Sequence, residues 1–328
     1  MILVASLLSA PKTAGHWLAS LGHRKGVQRL RSSLPYPCFR WKRPLLACFL
    51  LVILLVVVKI MRRPRCAREP TQFQPALTVQ QRELLLDALD EFQTTLRKAQ
   101  IPFFMYDGTL LGSWRHHGLI PWDEDIDVAV PFVDKDRLRV VLEQLKPGYI
   151  LHADELRRWK FYSSLAAPVG GKTWSAPFID ISFYNRTGTH VVVADPPGDG
   201  IVVVWPQGHV FPLTFRPFEG RQLLAPRNTY AALKMMVEID LCRVEAYSHL
   251  KVRYVRKCSD VLCADIQHRF PFVVRMFVGE GVCEGCEGVC EESLVLNRAV
   301  ISQVVLNYSD GCGGYGQKYI KKLLSSLL

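Results

Sequence analysis

The sequence predicts a mixed α/β domain that follows a single membrane-spanning helix. Strand-like apolar segments recur between residues 102 and 205, with helical patterns before, among and after them. An uninterrupted apolar run, Leu45–Val58, precedes this region and has basic residues on both flanks. A chain of 328 residues can bury one or two substantial cores, so a large folded domain after the apolar run is expected.

The apolar run is the predicted membrane anchor. As a helix it would extend about 21 Å, and continuation through Met61 gives about 26 Å, which suits a thin early secretory membrane. Lys59 can place its ammonium group at the membrane interface. A buried core helix is the alternative, which is disfavoured because the run is apolar on every face. We predict an anchor at residues 44–61, between a cytosolic tail at 1–43 and a stem at 62–76.

The residues after the anchor have features typical of the secretory lumen. Two N-glycosylation sequons begin at Asn185 and Asn307. Eight of the ten cysteines also lie on this side, as expected in a compartment that permits disulfides: Cys66, Cys242, Cys258, Cys263, Cys283, Cys286, Cys290 and Cys312. These features predict a glycosylated, disulfide-containing type II protein of the Golgi or ER membrane, with its folded domain in the lumen.

The positive charge of the chain lies outside the predicted folded domain. Residues 1–70 hold 13 basic and one acidic side chain, whereas the remainder holds 28 basic and 29 acidic side chains. Proteins that bind nucleic acids normally carry their basic patch on the folded domain. The distribution therefore argues against nucleic acid as a partner.

Helices and strands are predicted in the following order. Thr78 and Gln81 have the spacing of a capping box, which predicts a helix beginning there. Further helices are predicted at Leu110–His116 and Val133–Leu145, and over most of Thr229–Tyr254. Strands are predicted at Pro102–Tyr106, Ile126–Val130, Tyr149–His152, Phe161–Leu165, Phe178–Tyr184, His190–Ala194 and Ile201–Trp205.

An acidic cluster runs directly into one of these strands. Four of the five residues from Asp123 to Asp127 are acidic. If a strand begins at Ile126, Asp125 and Asp127 point to the same face, because side chains alternate along a strand. Two carboxylates on one face form a natural clamp for Mg²⁺ or Mn²⁺. A solvated acidic turn is the alternative, but it does not explain why the acids continue into an apolar strand.

Asp180 is the candidate for a third carboxylate. It is a single acid within the apolar strand pattern of Phe178–Tyr184, and a buried unpaired acid is costly. A metal ion or a basic partner is therefore expected beside it. A salt bridge at a strand edge is the alternative.

A candidate phosphate-binding segment lies shortly before the acidic cluster. Gly112 and Ser113 permit a close approach of backbone N–H groups to a phosphate, and Arg115 follows within one turn. We interpret Arg115, His116 and His117 as a positive rim rather than as acid–base groups.

These motifs together resemble the LicD/fukutin family. The residues that carry the resemblance are the G-T-L-L-G-S-x-R pattern from Gly108 to Arg115 and the I-P-W-D-x-D-I-D-V pattern from Ile120 to Val128. The similarity continues through Phe178–Phe183 and through Val210–Asn228, a segment that would close over the donor. It covers about residues 80–245 and implies a nucleotidyltransferase-like mixed sheet flanked by helices.

The resemblance also implies an activity. The chain would be a metal-dependent phosphotransferase that moves a substituted phosphate, such as phosphocholine or ribitol phosphate, from a CDP-linked alcohol to a glycan or glycoprotein hydroxyl. Asp125, Asp127 and Asp180 would be the catalytic metal ligands for Mg²⁺ or Mn²⁺, and Gly112, Ser113 and Arg115 would bind the donor. The catalytic domain would cover residues 77–256.

Two other functions and one unassigned region remain open. The chain could be a Golgi glycosyltransferase that holds a nucleotide-sugar through Asp123 and Asp125, or a non-catalytic scaffold with the same fold. Residues 257–328 form a cysteine-rich region with no counterpart in the resemblance. Its cysteines at 283, 286, 290 and 312 could bind zinc or form disulfides. Cys258 and Cys263 could pair with each other or with Cys242.

Overall fold

A computed structural model of the protein describes residue 52 and residues 73–155, 157–194, 202–244, 247–251, 253–254, 260–278 and 288–308. The chain forms two compact units, residues 1–63 and 64–328. Apart from Val52, the predicted anchor lies outside the described residues. No helix among the described residues is long and apolar enough to span a membrane.

A mixed seven-stranded sheet is the centre of the second unit, as the predicted mixed α/β class requires. Its first five strands in spatial order are β1, β2, β7, β4 and β3, and β8 and β9 extend it beyond the end of β7. Only β2 and β7 run parallel to each other, whereas the other pairs are antiparallel. The strands are β1 (Phe104–Met105), β2 (Ile126–Pro131), β3 (Tyr149–His152), β4 (Trp159–Ser163), β7 (Ile179–Arg186), β8 (His190–Ala194) and β9 (Val202–Pro206).

Three helices accompany the first half of this sheet and its core. Helix α1 (Val79–Lys98) begins at the predicted Thr78–Gln81 capping box and buries Leu85, Leu89 and Phe92. Helix α2 (Asp107–His116) connects β1 to β2, and helix α3 (Lys135–Glu143) follows β2 after a 3₁₀ turn at Phe132–Asp134. These apolar residues of α1 are buried because the helix packs its apolar face against the sheet.

Short elements complete the chain up to residue 266. Helix α4 (Gln207–Val210) precedes a hairpin of β10 (Thr214–Phe218) and β11 (Arg221–Ala225) along the chain, and helix α5 (Thr229–Lys234) follows it. A 3₁₀ turn lies at Cys263–Ile266. The remaining strand pairs are β5 (Ala167–Pro168) with β6 (Ser175–Ala176), β12 (Leu241–Cys242) with β15 (Val261–Leu262), and β13 (Tyr247–Ser248) with β14 (Arg253–Tyr254).

The predicted long helix at Thr229–Tyr254 is wrong beyond Lys234. Asn228 caps α5, but the chain then turns, because the carbonyl groups of residues 238, 239 and 241 accept hydrogen bonds from the Arg115 guanidinium. A disulfide between Cys242 and Cys263 also holds this part of the chain. That disulfide is one of the two pairings that the sequence left open for Cys263.

The C-terminal region contains a three-stranded antiparallel sheet that packs on α2. Its strands are β16 (Phe272–Val278), β17 (Gly288–Leu296) and β18 (Ala299–Tyr308). Cys290 on β17 is disulfide-bonded and fully buried. This bond agrees with the disulfide interpretation of the cysteine-rich region rather than with zinc binding by Cys290.

Candidate active site

Two aspartates on neighbouring parallel strands lie side by side. Asp127 on β2 is paired in register with Asp180 on β7, so the two side chains leave the sheet on the same face. Only 7% of Asp127 and 5% of Asp180 is exposed. The structure thus brings together two of the three predicted catalytic carboxylates.

The start of α2 lies against the same carboxylates. The Asp127 backbone N–H donates to the Thr109 hydroxyl at 2.7 Å, and the Tyr106 N–H donates to the Asp127 carbonyl at 3.1 Å. A Cβ atom on Gly108 would lie 2.7 Å from Asp123 Oδ2 and 3.2 Å from Asp127 Oδ2. Only glycine therefore permits this helix to begin so close to both carboxylates.

Negative charge is concentrated around Asp127. Burial raises the pKa of Asp127 well above its usual range, and the nearby carboxylates of Asp107, Asp180 and Asp123 raise it further, whereas Arg158 lowers it. Like charges at close range favour the neutral form of a carboxyl group. The site therefore favours the binding of additional positive charge.

Asp107 and Asp123 are site residues whose roles the sequence interpretation missed. Asp107 is the first residue of α2 and has a left-handed backbone (φ 41°), a conformation uncommon for a residue other than glycine. Asp123 was assigned only to the alternative glycosyltransferase function. A turn of the chain between residues 116 and 126 brings Asp123 to Gly108, and no local periodicity predicts that contact.

Asp125 lies just outside the strand. Strand β2 begins at Ile126, so strand alternation does not fix the direction of the Asp125 side chain, which is 9% exposed. The charges that raise the pKa of Asp127 are those of Asp107, Asp180 and Asp123. A role for Asp125 in metal binding stays a prediction.

Two basic side chains neutralise part of the cluster, and the sequence interpretation missed both. Arg158 Nη1 lies 3.1 Å from Asp127 Oδ1, and Arg158 Nη2 lies 3.5 Å from Asp107 Oδ2. Lys160 Nζ forms an ion pair with Asp180 Oδ1, at cross-strand positions that are directly opposite in the β4–β7 pair. A buried lysine within an apolar strand is the sequence signal that could have identified this second ion pair.

Gly112 and Ser113 do not face the carboxylate cluster. A Cβ atom on Gly112 would lie 2.4 Å from the Gly118 carbonyl oxygen, so this glycine serves close packing of α2 against the following loop. The Ser113 side chain is fully buried, and its hydroxyl donates to the Pro217 carbonyl at 2.9 Å. Phosphate binding by these two residues has no support in this geometry.

The predicted positive rim is wrong, because Arg115, His116 and His117 are all buried. Arg115 donates to the Ile239 carbonyl and holds the turn that follows α5. Burial lowers the pKa of His116 to about 3, so its ring is neutral near pH 7. The His117 Nε2 atom lies 2.8 Å from a Glu292 carboxylate oxygen.

Two cavities border the cluster. A small one of about 150 Å³ is lined by Asp107, Gly108, Arg115 and Asp123. Arg115 therefore borders this cavity, although its guanidinium N–H groups donate to backbone carbonyl groups after α5. A larger cleft of about 630 Å³ is also lined by Asp123. Asp123 and Ile120 line both cavities.

The residues of the cluster fit a hard divalent cation in their chemistry. All candidate ligands are carboxylates, which Mg²⁺ and Mn²⁺ prefer, and the surplus of buried negative charge at Asp127 is the observation that supports the fit. Among the described residues, no three Asp, Glu, His or Cys side chains are already arranged around one metal position. Arg158 and Lys160 hold two of the carboxylates in this conformation.

The segment that carries this site matches a known family. Residues 100–228 match the family model described as LicD/FKTN/FKRP, nucleotidyltransferase domain. The resemblance predicted from the sequence is confirmed over these residues, which include the acidic cluster, Asp180 and the β10–β11 hairpin.

Similarity to individual proteins is confined to short segments. The lipopolysaccharide cholinephosphotransferase LicD of Haemophilus influenzae is 43% identical over 53 residues, which are 16% of this chain and 20% of that protein. An uncharacterized protein of Rickettsia prowazekii is 35% identical over 66 residues, 20% of this chain and 25% of that protein. The chain thus spans a quarter or less of the length of these curated relatives.

Among solved structures, the chain is similar to ANT(2″)-Ia in complex with adenylyl-2″-tobramycin. The similarity covers 45% of this chain and 70% of the other, with 13% identity and a TM-score of 0.30. A similarity at this level carries no argument about fold or function.

Proposed function

We propose that this chain is a metal-dependent phosphotransferase with a nucleotidyltransferase-like fold. It would transfer a substituted phosphate from a CDP-linked alcohol to a glycan hydroxyl. The observation that carries the proposal is the registered pair Asp127–Asp180 beside Asp107 and Asp123, within the segment that matches the family. The LicD relative of Haemophilus influenzae is a lipopolysaccharide cholinephosphotransferase, and cholinephosphotransfer is of the same class of reaction.

The carboxylates would hold the cation. Asp127 and Asp180 leave adjacent strands on one face, and Asp125 or Asp123 would complete the ligand set. Bound Mg²⁺ or Mn²⁺ would supply positive charge against the donor pyrophosphate and the leaving CMP. The Asp127 and Asp180 carboxylates are buried, and electrostatic interactions in a buried site are stronger than in water.

Arg158 and Lys160 would contact the donor phosphates. Both form ion pairs with carboxylates that the cation would neutralise. Binding of a cation would therefore free the Arg158 guanidinium and the Lys160 ammonium group to bind phosphate oxygens. The first turn of α2 lies beside the same carboxylates at Gly108, and the N–H groups of a first helical turn bind phosphate in many proteins. We propose Gly108 for the donor-binding role that was predicted for Gly112 and Ser113.

The reaction then needs no covalent protein intermediate. The acceptor hydroxyl oxygen attacks the phosphorus that carries the alcohol, the bond from that phosphorus to the bridging oxygen breaks, and CMP leaves with the electron pair. The hydroxyl proton passes to a carboxylate of the cluster. Positioning and charge stabilisation account for the rate increase.

We further propose that the reaction takes place in the secretory lumen. The anchor at 44–61 would hold the chain in a Golgi or ER membrane. Asn185, the first residue of one sequon, is exposed on β7, and the Cys242–Cys263 disulfide suits an oxidising compartment.

The activity is tested with the purified full-length chain and a panel of CDP conjugates: CDP-choline, CDP-ethanolamine, CDP-ribitol and CDP-glycerol. With Mn²⁺ or Mg²⁺ present, we expect CMP release from at least one donor. Asp127→Asn and Asp180→Asn should each reduce it by about a hundredfold or more, since each removes a charge that acts on the transition state. Asp87→Asn, an exposed site on α1, is the matched control.

Two results would contradict the proposal and separate the alternatives. Release of UDP or GDP from nucleotide-sugars, without CMP release, would identify a glycosyltransferase. An absence of any turnover, together with an absence of Mn²⁺ binding by calorimetry, would identify a scaffold. Full activity of Asp127→Asn would refute the assignment of the site.

A further inference from the structure

A cleft of about 630 Å³ is left unused by the proposed chemistry. It lies between α1, the turn of the β10–β11 hairpin, the loop after α2 and the C-terminal sheet. Its size falls within the range of sites for small organic ligands, which is about 300–1,000 Å³. We propose that this cleft binds the carbohydrate acceptor, an inference that rests on the proposed function.

The position of the cleft suits the second substrate. Ile120 and Asp123 line both the cleft and the small cavity at the start of α2, so a molecule in the cleft ends beside the acidic cluster. Arg158 and Lys160, which the proposed function assigns to the donor phosphates, contact the carboxylates themselves. An in-line transfer requires the acceptor and the leaving group on different sides of the phosphorus.

The chemistry of the cleft fits a polyhydroxylated molecule better than a nucleotide. Its two guanidinium groups, Arg82 and Arg221, are already paired with Glu219 and Asp90, so the cleft offers little uncompensated positive charge to a pyrophosphate. Hydroxyl and amide groups at Ser302 and Gln222 can exchange hydrogen bonds with sugar hydroxyls. Proline and leucine side chains supply apolar surface for the C–H faces of a sugar: Pro75, Leu77, Pro121, Pro217 and Leu294.

The partly buried carboxylate of Glu219 fixes one wall of the cleft. Glu219 Oε1 accepts a hydrogen bond from the Leu119 N–H at 2.8 Å, and the Glu219 N–H donates to the His117 carbonyl at 2.8 Å. Gly118 makes this possible, since a Cβ atom there would lie 2.4 Å from Glu219 Oε1. A site whose walls are held in place before binding loses less conformational entropy when it binds.

Ser302 offers a substitution that fills the cleft without disturbing the core. It lies on β18, is exposed, and lines the cleft opposite the hairpin. Ser302→Trp should occupy the acceptor volume. Val305→Trp is the matched control, because Val305 is 64% exposed on the same strand and follows Val304, which lines the cleft, so its side chain points to the opposite face.

The test uses the full-length chain and two readouts. The first is saturation-transfer NMR with lactose, N-acetyllactosamine and chitobiose, in the absence of donor. The second is CMP release from the active CDP conjugate, with and without the disaccharide that binds. For Ser302→Trp we expect loss of saturation transfer and an increase of about tenfold or more in acceptor KM. Val305→Trp should behave like the unsubstituted protein.

The outcomes separate this inference from the proposed function. If no CDP conjugate releases CMP, the proposed function fails, while loss of disaccharide binding in Ser302→Trp alone still supports a carbohydrate site in the cleft. If CMP is released but the two variants have the same acceptor KM and saturation transfer, the cleft is not the acceptor site. Absence of saturation transfer from all three disaccharides to the unsubstituted protein would also overturn the inference.

Discussion

Two buried ionic centres of this protein have opposite charge balances. The carboxylates of Asp107, Asp123 and Asp180 lie near Asp127. Burial and these neighbours raise the pKa of Asp127 well above its usual range. Around Glu292 on β17, burial would raise the carboxyl pKa, but Arg216, Arg275 and His117 lower it well below its usual range. In the first centre the carboxylates outnumber the basic groups Arg158 and Lys160, whereas in the second the basic groups outnumber the single carboxylate.

The difference agrees with the proposed binding role of the Asp127 centre and indicates a stabilising role for the Glu292 centre. Arg216 and Arg275 both contact the Glu292 carboxylate, at 3.0 and 2.7 Å, and both guanidinium groups lie over the Trp114 ring. This centre joins the C-terminal sheet to α2 and to β10. The Asp127 centre is instead an unfavourable arrangement in the absence of a ligand, a property typical of functional sites.

Substitution of Glu292 should have the largest effect on the free energy of unfolding. Glu292→Gln would leave two buried guanidinium groups without a carboxylate, which should lower the free energy of unfolding by about 3–5 kcal/mol. The measurement is urea denaturation at pH 7. Glu291→Gln, one residue away and hydrogen-bonded to Gln303, is the control and should cost less than about 1 kcal/mol. Equal losses for the two variants would contradict the role of Glu292.

The pH dependence of stability caused by His116, the last residue of α2, should be a smaller effect. Burial lowers the pKa of His116 from 6.5 to about 3, so the folded protein keeps this ring neutral while the unfolded chain takes up a proton below pH 6.5. The stability from His116 is therefore present above pH 6.5 and decreases as the pH falls toward 3. Between pH 7 and pH 5 this amounts to about 2 kcal/mol.

The pH effect is measured by comparing unfolding at pH 7 and pH 5. His116→Gln should lose about 2 kcal/mol less than the unsubstituted protein over this interval. His268→Gln, at an exposed position, should retain the full dependence. If His116→Gln kept the same pH dependence, the neutral buried state of His116 would be wrong.

The smallest expected effect has the opposite sign. Asp127→Asn removes one charge from the acidic cluster, so without divalent cations it should raise the free energy of unfolding, on the order of 1 kcal/mol. Thermal unfolding in EDTA measures this, with Asp87→Asn as the control. A clear loss of stability in Asp127→Asn would show that the two centres are more alike than their charges indicate.

The sequence predicted features that depend on neighbouring residues. The Thr78–Gln81 capping box, the strand at Ile126 and the strand around Asp180 all follow from short-range spacing and were confirmed. Strand alternation and an acid in an apolar segment were enough to identify Asp127 and Asp180 as partners. Their registered pairing is then a consequence of two apolar strands lying parallel in one sheet.

The sequence did not predict contacts between distant segments. His117 and Glu292 are 175 residues apart, and Arg115 and Ile239 are 124 apart, so no local pattern connects them. Both basic residues were therefore assigned to an exposed rim. The predicted helix beyond Lys234 failed for a related reason, since Arg115 binds the carbonyl groups that a helix would have used itself.

The Glu292 centre also limits how the protein can be divided. The segment that matches the family ends at residue 228, yet Arg216 and His117, both inside that segment, find their buried carboxylate on β17. A fragment cut at that boundary would remove the Glu292 carboxylate from the buried Arg216, and Arg115 would lose its carbonyl acceptors as well. The smallest autonomous piece of this protein must therefore extend through residue 292, well beyond the limits of the family match.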